Sequence, residues 1–180
     1  IYEVIGVDRP TEQGRQRIEA LNAGIFPFPN ADPELNNGLL RAHSVGNLFA
    51  TTDESAYDSA DVIIIDVALD IQFQETSPNF DMSVLQRAFR SVAQRIREDS
   101  LILVETTVPP GTCEKVLVPV LEEELGRRGL AKHAVRLAHS FERVMPGTDY
   151  LNSITRIWRA YAGYTLEAAD ACEEFLSNII

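Results

Sequence analysis

The chain has 180 residues, and 27 Asp and Glu against 16 Lys and Arg give it a formal net charge of −11. This acidic surplus disfavours nucleic acid as a partner, because like charges repel. A hydrophobic fraction of 45% with 24% charged residues is typical of one folded globular domain. Cys113 and Cys172 have no second Cys or His at metal-binding spacing, so neither a metal site nor a disulfide framework is predicted and a cytoplasmic setting is favoured.

Short β-branched segments alternate with amphipathic helical segments along the chain. Strands are predicted at residues 1–8, 48–51, 61–67 and 101–107, with weaker patterns at 135–139 and 156–162. Helices are predicted over 11–22, over 81–96 with Asp81 as N-cap, over 112–126 and over 165–179. The alternation predicts an α/β fold, a Rossmann-like doubly wound parallel sheet with helices on both faces. Ligands of such sheets bind beyond the carboxyl ends of the strands.

A carboxylate closes the first predicted strand. Asp8 could accept hydrogen bonds from the ribose diol of an adenine dinucleotide, and it would repel a 2′-phosphate. The alternative is a strand-end Asp that caps the following turn. Arg9 could stack on adenine or accept a phosphate, so NAD is favoured over NADP without excluding the latter.

The glycine fingerprint of a dinucleotide site does not precede Asp8. A G-x-G-x-x-G turn stands about 20 residues before such an acid, whereas only seven residues precede Asp8 here. We therefore expect a sheet without its first strand and glycine-rich turn. The natural chain is therefore expected to be longer than residues 1–180, unless its strands pair in a different way.

Two strand ends carry candidate catalytic side chains. In residues 105–112 a Pro-Pro-Gly bend leaves Thr107 at the rim of the expected crevice, unless its hydroxyl satisfies its own backbone. In residues 139–147, Glu142 could act as a general base while Arg143 holds a phosphate or orients it, unless the two form an ordinary surface pair. Asp66 interrupts an apolar strand and is expected to border the crevice with Asp70. Cys113 lies in a first helical turn, where the dipole lowers a thiol pKa, and is interpreted as structural.

The chain resembles the UDP-glucose/GDP-mannose dehydrogenase family of nucleotide-sugar 6-dehydrogenases. The segments that carry this resemblance are Val-Ile-Gly-Val-Asp at 4–8, Leu-Asn-Ala-Gly at 21–24, Pro-Phe at 27–28, Ala-Asp-Val-Ile-Ile at 60–64, Asp-Met-Ser at 81–83, Thr-Thr-Val-Pro-Pro-Gly-Thr at 106–112 and Ser-Phe-Glu-Arg-Val-Met-Pro-Gly at 140–147. The family oxidises C6 of a nucleotide-linked sugar from alcohol to carboxylate, with two NAD and a cysteine that forms a covalent intermediate. That cysteine has no counterpart in Cys113 and is expected beyond residue 180. The resemblance thus implies that residues 1–180 are part of an N-terminal NAD-binding domain, cut at both ends and without the second, substrate-binding domain.

The resemblance also implies roles for particular residues. Asp8 and Arg9 are expected to contact the cofactor, and so are Val67, Ala68 and Leu69, which stand where the family has a Val-x-Thr-Pro turn. Thr107 is expected near the nicotinamide and its water, and Glu142 is expected to assist as a base. The resemblance further places Glu142, Arg143, Val144 and Met145 at the nucleotide-sugar substrate. It also implies a homodimer for the full-length protein. No nucleic-acid partner is expected because of the acidic charge, and no membrane partner because the apolar run at 62–65 is far shorter than the ~20 residues of a membrane span.

Three functions remain open at this stage. The first is a part of an NAD-dependent nucleotide-sugar dehydrogenase that oxidises a UDP- or GDP-linked sugar for polysaccharide biosynthesis. The second is a non-catalytic nucleotide-binding or regulatory module of the same fold. The third is another two-domain hydroxyl dehydrogenase, such as one acting on a hydroxy acid.

Overall fold

The computed structural model describes residues 2–29, 32–69, 71–74, 77–145 and 147–179. The strands are β1 Val4–Val7, β2 Leu48–Thr51, β3 Val62–Ile65, β4 Ile71–Gln74, β5 Ser77–Phe80, β6 Leu101–Val104, β7 Arg136–His139 and β8 Ala162–Gly163. The helices are α1 Glu12–Asn22, α2 Pro33–Val45, α3 Ser83–Ala93, α4 Val118–Arg127, α5 Tyr150–Thr155 and α6 Leu166–Ser177. The chain folds as two compact units, a first unit of residues 1–56 and 143–157 and a second unit of residues 57–142 and 158–180.

In the first unit, β1 and β2 form a parallel pair, and α1 packs against β2. β1 and β2 align with Val4 opposite Leu48. The side chain of Asn22, the last residue of α1, accepts the Ala50 N–H at 2.7 Å and donates to the Ala50 carbonyl at 2.9 Å. These two hydrogen bonds to one residue of β2 fix the end of the helix. Thr11 caps its start by accepting the Gly14 N–H at 3.1 Å.

Asp32 joins two helices of the first unit. One carboxylate oxygen accepts the N–H of Glu34 at 2.8 Å and of Leu35 at 3.4 Å, at the start of α2. The other accepts the Leu151 N–H of α5 at 2.8 Å. The Leu151 hydrogen bond in particular, with the others, holds the pKa of the Asp32 carboxyl below its ordinary value. One buried side chain thereby satisfies orphan amides of two helices.

Replacing Asp32 by Ala is expected to lower the melting temperature by several degrees at neutral pH. Because the pKa of Asp32 is depressed in the fold, its stabilisation is present above the unfolded value near 3.8 and is lost as the pH falls. Thermal unfolding at pH 7 and pH 2 would measure this. Asp81→Ala, which removes a bond to the Ser83 N–H at one helix only, is the matched control. An equal loss in both variants, or a loss that persists at pH 2, would contradict this role of Asp32.

In the second unit, helices cover both faces of a four-stranded sheet. β3, β6 and β7 are parallel in that order, and β8 adds antiparallel to β7. Alternate residues of the buried β6 point to opposite faces. Ile102 and Val104 join the core formed with α3 and α4, where Phe89 is fully buried, while Leu101 and Leu103 pack with α6.

The predicted α/β class is confirmed, and its parallel strands lie in two sheets, β1–β2 and β3–β6–β7–β8. The helix predicted over 112–126 instead opens with a π-helical turn over Cys113–Leu117, because Pro119 has no N–H with which to continue the helical ladder. The helix predicted from Asp81 begins at Ser83, although the Asp81 carboxylate does accept the Ser83 N–H at 2.8 Å.

Two further expectations need correction. Residues 156–162 do not form a strand: α5 ends at Thr155, and only Ala162–Gly163 pair with β7. The pKa of the Cys113 thiol is raised by burial rather than lowered by a helix dipole. Asp70 lies outside the described residues. No helix within the described ranges has the length and apolar character that a membrane span requires.

Candidate functional site

A cavity of about 250 Å³ opens at the carboxyl ends of β3 and β6 in the second unit. It is lined by residues that follow β3, β6 and β7, namely Asp66, Val67, Ala68, Leu69, Glu105, Thr106, Thr107 and Glu142. The carboxyl edge is where a parallel sheet binds its ligands. Of the predicted site residues, the structure thus brings together Val67, Ala68, Leu69, Thr107 and Glu142, and it places Asp66 at the crevice as expected.

Hydrogen bonds from Thr106 and Glu105 hold the three strand ends together. The Glu105 N–H donates to the Ile65 carbonyl at 2.9 Å, and the Glu105 carbonyl accepts the Glu142 N–H at 3.3 Å. The buried Thr106 hydroxyl accepts the Val67 N–H at 2.8 Å. The Thr106 hydroxyl is therefore used as a hydrogen-bond acceptor for the backbone of Val67, whereas the adjacent Thr107 is exposed at the cavity. This arrangement leaves the Thr107 hydroxyl accessible to a ligand.

Three carboxylates line the cavity, and a buried cation pairs with one of them. Arg159 forms an ion pair with Glu105, and sequence reasoning missed both residues. Burial raises the pKa of the Glu105 carboxyl, and Arg159 opposes that rise. Partial burial also raises the pKa of Asp66, the charge of Glu142 raises it further, and Arg159 again opposes. Carboxyls whose pKa is raised by burial beside a polar cavity are candidates for proton transfer.

Asp8, in the first unit, is held by a residue that the sequence did not single out. Arg17 of α1 donates from Nε to Asp8 Oδ2 at 2.6 Å and from Nη2 to Oδ1 at 3.1 Å. The Arg9 N–H donates to the same Oδ1 at 2.7 Å. A carboxylate offers about four acceptor positions, so these three bonds leave one, on Oδ2, for a ribose hydroxyl. Arg17 stands nine residues after Asp8, within the next helix, so no local sequence pattern links the two residues.

The Arg17 hydrogen bond lowers the pKa of Asp8, and the Arg9 N–H and both positive charges add to this effect against partial desolvation. Arg17→Gln is expected to lower the free energy of unfolding at pH 7 by at most about 1 kcal/mol, since both side chains are partly exposed. A depressed pKa stabilises above the unfolded value of about 3.8, so this difference should vanish as the pH falls toward 2. Urea unfolding at both pH values measures it.

Arg15→Gln is the control for this prediction, because Arg15 lies on the same helix and bonds the Pro10 carbonyl instead of Asp8. An equal and pH-independent loss in the two variants would count against the Asp8–Arg17 pair.

The predicted substrate residues after Glu142 belong to the first unit. Met145 borders a second cavity, of about 510 Å³, with polar side chains that include Asp149, Asn152 and Arg156. The Met145 N–H donates to the Ser153 hydroxyl of α5 at 3.0 Å, which fixes the chain there. The first unit also contains Arg143, Val144, Asp8 and Arg9. None of these four lines the cavity of the second unit, and their assignments as ligand contacts stay predictions.

Strands flanked by helices, a carboxylate after β1 and a polar cavity at the carboxyl edge of β3 and β6 are the features of an NAD-binding α/β domain. A family model described as the NAD binding domain of the UDP-glucose/GDP-mannose dehydrogenase family matches residues 2–170. The chain belongs to this family, as its motifs predict, and NAD is confirmed as the cofactor. The members it resembles are named as nucleotide-sugar dehydrogenases.

Curated relatives and solved structures agree with this assignment. UDP-N-acetyl-D-mannosamine dehydrogenase of Pyrococcus horikoshii is 30% identical over 99% of this chain and 40% of its own length. GDP-mannose 6-dehydrogenase of Pseudomonas aeruginosa is 30% identical over 71% of the chain and 28% of its own length. The crystal structure of NDP-N-acetyl-D-galactosaminuronic acid dehydrogenase from Methanosarcina mazei Go1 superposes with a TM-score of 0.88 and 27% identity, over 99% of this chain and 37% of that one. The chain thus spans about two fifths of the length of the relatives that it matches throughout.

The residues present fit part of an NAD molecule. The open acceptor position on Asp8 Oδ2 suits a ribose hydroxyl, and the exposed Thr107 lines a polar cavity at the carboxyl edge. The phosphate-binding G-x-G-x-x-G turn does not occur in the 180 residues. The 180 residues thus offer candidate contacts for NAD, but their sequence has no glycine-rich turn for its pyrophosphate.

Proposed function

We propose that this chain is part of an NAD-dependent dehydrogenase that oxidises the C6 alcohol of a UDP- or GDP-linked sugar to a carboxylate. The single observation that carries the proposal is that Thr107 and Glu142, from the two most specific family segments, line one cavity at the carboxyl edge of the sheet. The sequence predicts a catalytic role for each of these residues independently, and both line the same cavity. The relatives named for UDP-N-acetyl-D-mannosamine and for GDP-mannose support the substrate class.

In this proposal, residues 1–180 supply part of an NAD-binding domain, and chain outside them supplies the phosphate-binding turn and the second domain. Asp8, steadied by Arg17, holds the adenosine ribose. Val67, Ala68 and Leu69 form one wall of the cofactor cavity. Glu142, Arg143, Val144 and Met145 contact the nucleotide sugar. The complete protein is proposed to act in the cytoplasm as a homodimer and to supply uronic acid units for a polysaccharide.

In the proposed chemistry, the cofactor accepts the hydrides, and side chains of this chain orient the reacting oxygen and take up its proton. Oxidation of a primary alcohol to a carboxylate removes four electrons and consumes one water, and bound NAD supplies the hydride-accepting ring for each of the two steps. Thr107 orients the water or the substrate hydroxyl through its free hydroxyl group. Glu142 takes up the proton that leaves this oxygen. The carboxyls of Asp66 and Glu105 line the same cavity and contribute to the negative potential at Glu142.

A panel of substrates tests this function in the complete protein. UDP- and GDP-linked sugars are expected to be oxidised with NAD, whereas free hydroxy acids are not. Oxidation of a hydroxy acid alone would favour the other dehydrogenase class. Calorimetry on residues 1–180 separates the regulatory alternative, because tight nucleotide binding without the phosphate-binding turn would favour a self-sufficient module.

A further inference from the structure

Arg159 is a buried cation that the proposed reaction does not use. Its side chain is 4% exposed and pairs with Glu105, which is 13% exposed. Its Nε has no hydrogen-bond partner within the described ranges. Burying a guanidinium with an unsatisfied N–H is costly. Because this cost works against stability, we expect the buried charge to have a functional role.

The surroundings of Arg159 show what the charge acts on. Its field reaches Asp66 as well as Glu105, and the charge of Glu142 acts on both of these carboxyls. The guanidinium therefore acts on Asp66 and Glu105, two of the three carboxylates that line the cavity. The charges of Glu105 and Arg159 also act on the Cys172 thiol of α6, whose pKa burial raises to about 11. The His139 ring lies nearby, with its Nε2 3.3 Å from the Thr106 carbonyl.

The ion pair is also connected to the reacting side chains through backbone. Glu105 immediately precedes the turn that carries Thr106 and Thr107, and its carbonyl accepts the Glu142 N–H at 3.3 Å. Any movement of Glu105 would therefore displace both Thr107 and Glu142.

We propose that Arg159 is a positioning residue of the site: through its ion pair with Glu105 it holds the Thr107 turn in place, and it balances the negative charge that Asp66, Glu105 and Glu142 bring to the cavity. The electrostatic part follows from this chain alone, whereas the catalytic consequence rests on the proposed function. Arg159 carries out no bond-breaking step itself.

The test removes each partner in turn and follows the titration of Asp66 by carbon NMR of its carboxyl group. Arg159→Met takes away the opposing positive charge, so the pKa of Asp66 should rise by about one unit or more. Glu105→Gln removes a negative charge and leaves Arg159 unpaired, so the pKa of Asp66 should fall. Arg159→Lys retains the charge and should keep the pKa of Asp66 near its original value.

These opposite shifts distinguish positioning from packing. A merely structural pair would loosen the cavity in both variants and move the pKa of Asp66 in the same direction. Arg95→Met is the matched control, since Arg95 pairs with Asp58 at the surface and should leave Asp66 unchanged. If Arg159→Met fails to fold, Glu105→Gln and Arg159→Lys still decide: an unchanged Asp66 titration in the first, or a large shift in the second, overturns the proposal.

The complete dehydrogenase provides the second readout. In Arg159→Lys, turnover is expected to fall more than KM changes, because the charge remains while the paired geometry that fixes the Thr107 turn is lost. If the Asp66 titrations shift as expected but no nucleotide sugar is oxidised by the unaltered protein, the proposed function fails and the electrostatic role of Arg159 stands. If turnover is unaffected by Arg159→Lys in an active enzyme, the positioning role for Thr107 is wrong.

Discussion

Replacing Glu142 by Gln in the complete dehydrogenase is expected to lower turnover by about 10²–10⁴-fold, the range for loss of a general base. The substitution keeps the size and hydrogen-bonding shape of the side chain but removes its ability to take up a proton. Substrate affinity should change much less, because the cavity lining is otherwise retained. Steady-state kinetics with NAD and a nucleotide sugar measure both quantities.

Thr107→Ala should act in the same direction with a smaller effect, about tenfold, since it removes a single hydrogen bond to an oriented oxygen. Glu98→Gln is the control, because Glu98 is exposed and lies outside the cavity. Unchanged turnover in both Glu142→Gln and Thr107→Ala would refute their catalytic assignment. A loss confined to KM would make them binding residues only.

Arg159→Met is expected to lower the free energy of unfolding by about 3–5 kcal/mol at pH 7.5, because it leaves the Glu105 carboxylate buried without its partner. The pKa of Glu105 is raised in the fold, and it rises further without Arg159. A raised carboxyl pKa means that stability is retained below the unfolded value and lost as the pH rises through the folded one. The variant should therefore be much closer to the original protein at pH 4 than at pH 7.5.

The double variant Arg159→Met with Glu105→Leu separates charge from packing. Replacing both partners by apolar residues removes the unpaired charge, so most of the lost stability should return. Urea unfolding at the two pH values measures all three proteins. A single-variant loss below about 1 kcal/mol, or one that does not depend on pH, would mean that water already screens the pair.

The parts of the fold that the sequence predicted are those with strong local periodicity. The stripe of Leu85, Phe89 and Val92 predicts α3, and these residues are buried in its core. The β-branched runs predict β3 and β6 to within a few residues. Helix α2 was missed although its signals are present: Asp32 caps it, Pro33 opens it, and Gly46 at φ 77° ends it.

The elements that could not be predicted depend on contacts distant in sequence. Residues 156–162 have a strand-like composition, but only Ala162 and the following Gly163 pair with β7. Strand β8 is therefore much shorter than the predicted strand. No strand was predicted over residues 71–80, where the structure pairs β4 and β5 antiparallel, although the Ile-Gln-Phe-Gln run at 71–74 does alternate apolar and polar residues.

The residues of the candidate site likewise fall into those that a local motif predicts and those that depend on contacts distant in sequence. Thr107 and Glu142 were found because recognisable turns carry them, and strand order brings them to one cavity. Arg17 and Arg159 were missed because an ion pair formed across nine or 54 residues leaves no local pattern. Asp66 was suspected only because a charge inside an apolar strand requires an explanation.

The most direct test of the proposed function is the amount of NADH formed for each nucleotide sugar consumed by the complete protein, followed by absorbance while the product is identified by mass spectrometry. Oxidation of C6 to a carboxylate predicts two NADH for each UDP- or GDP-linked sugar, together with the uronic acid product. One NADH for each substrate with an aldehyde or ketone product, or no NADH from any nucleotide sugar, would contradict it.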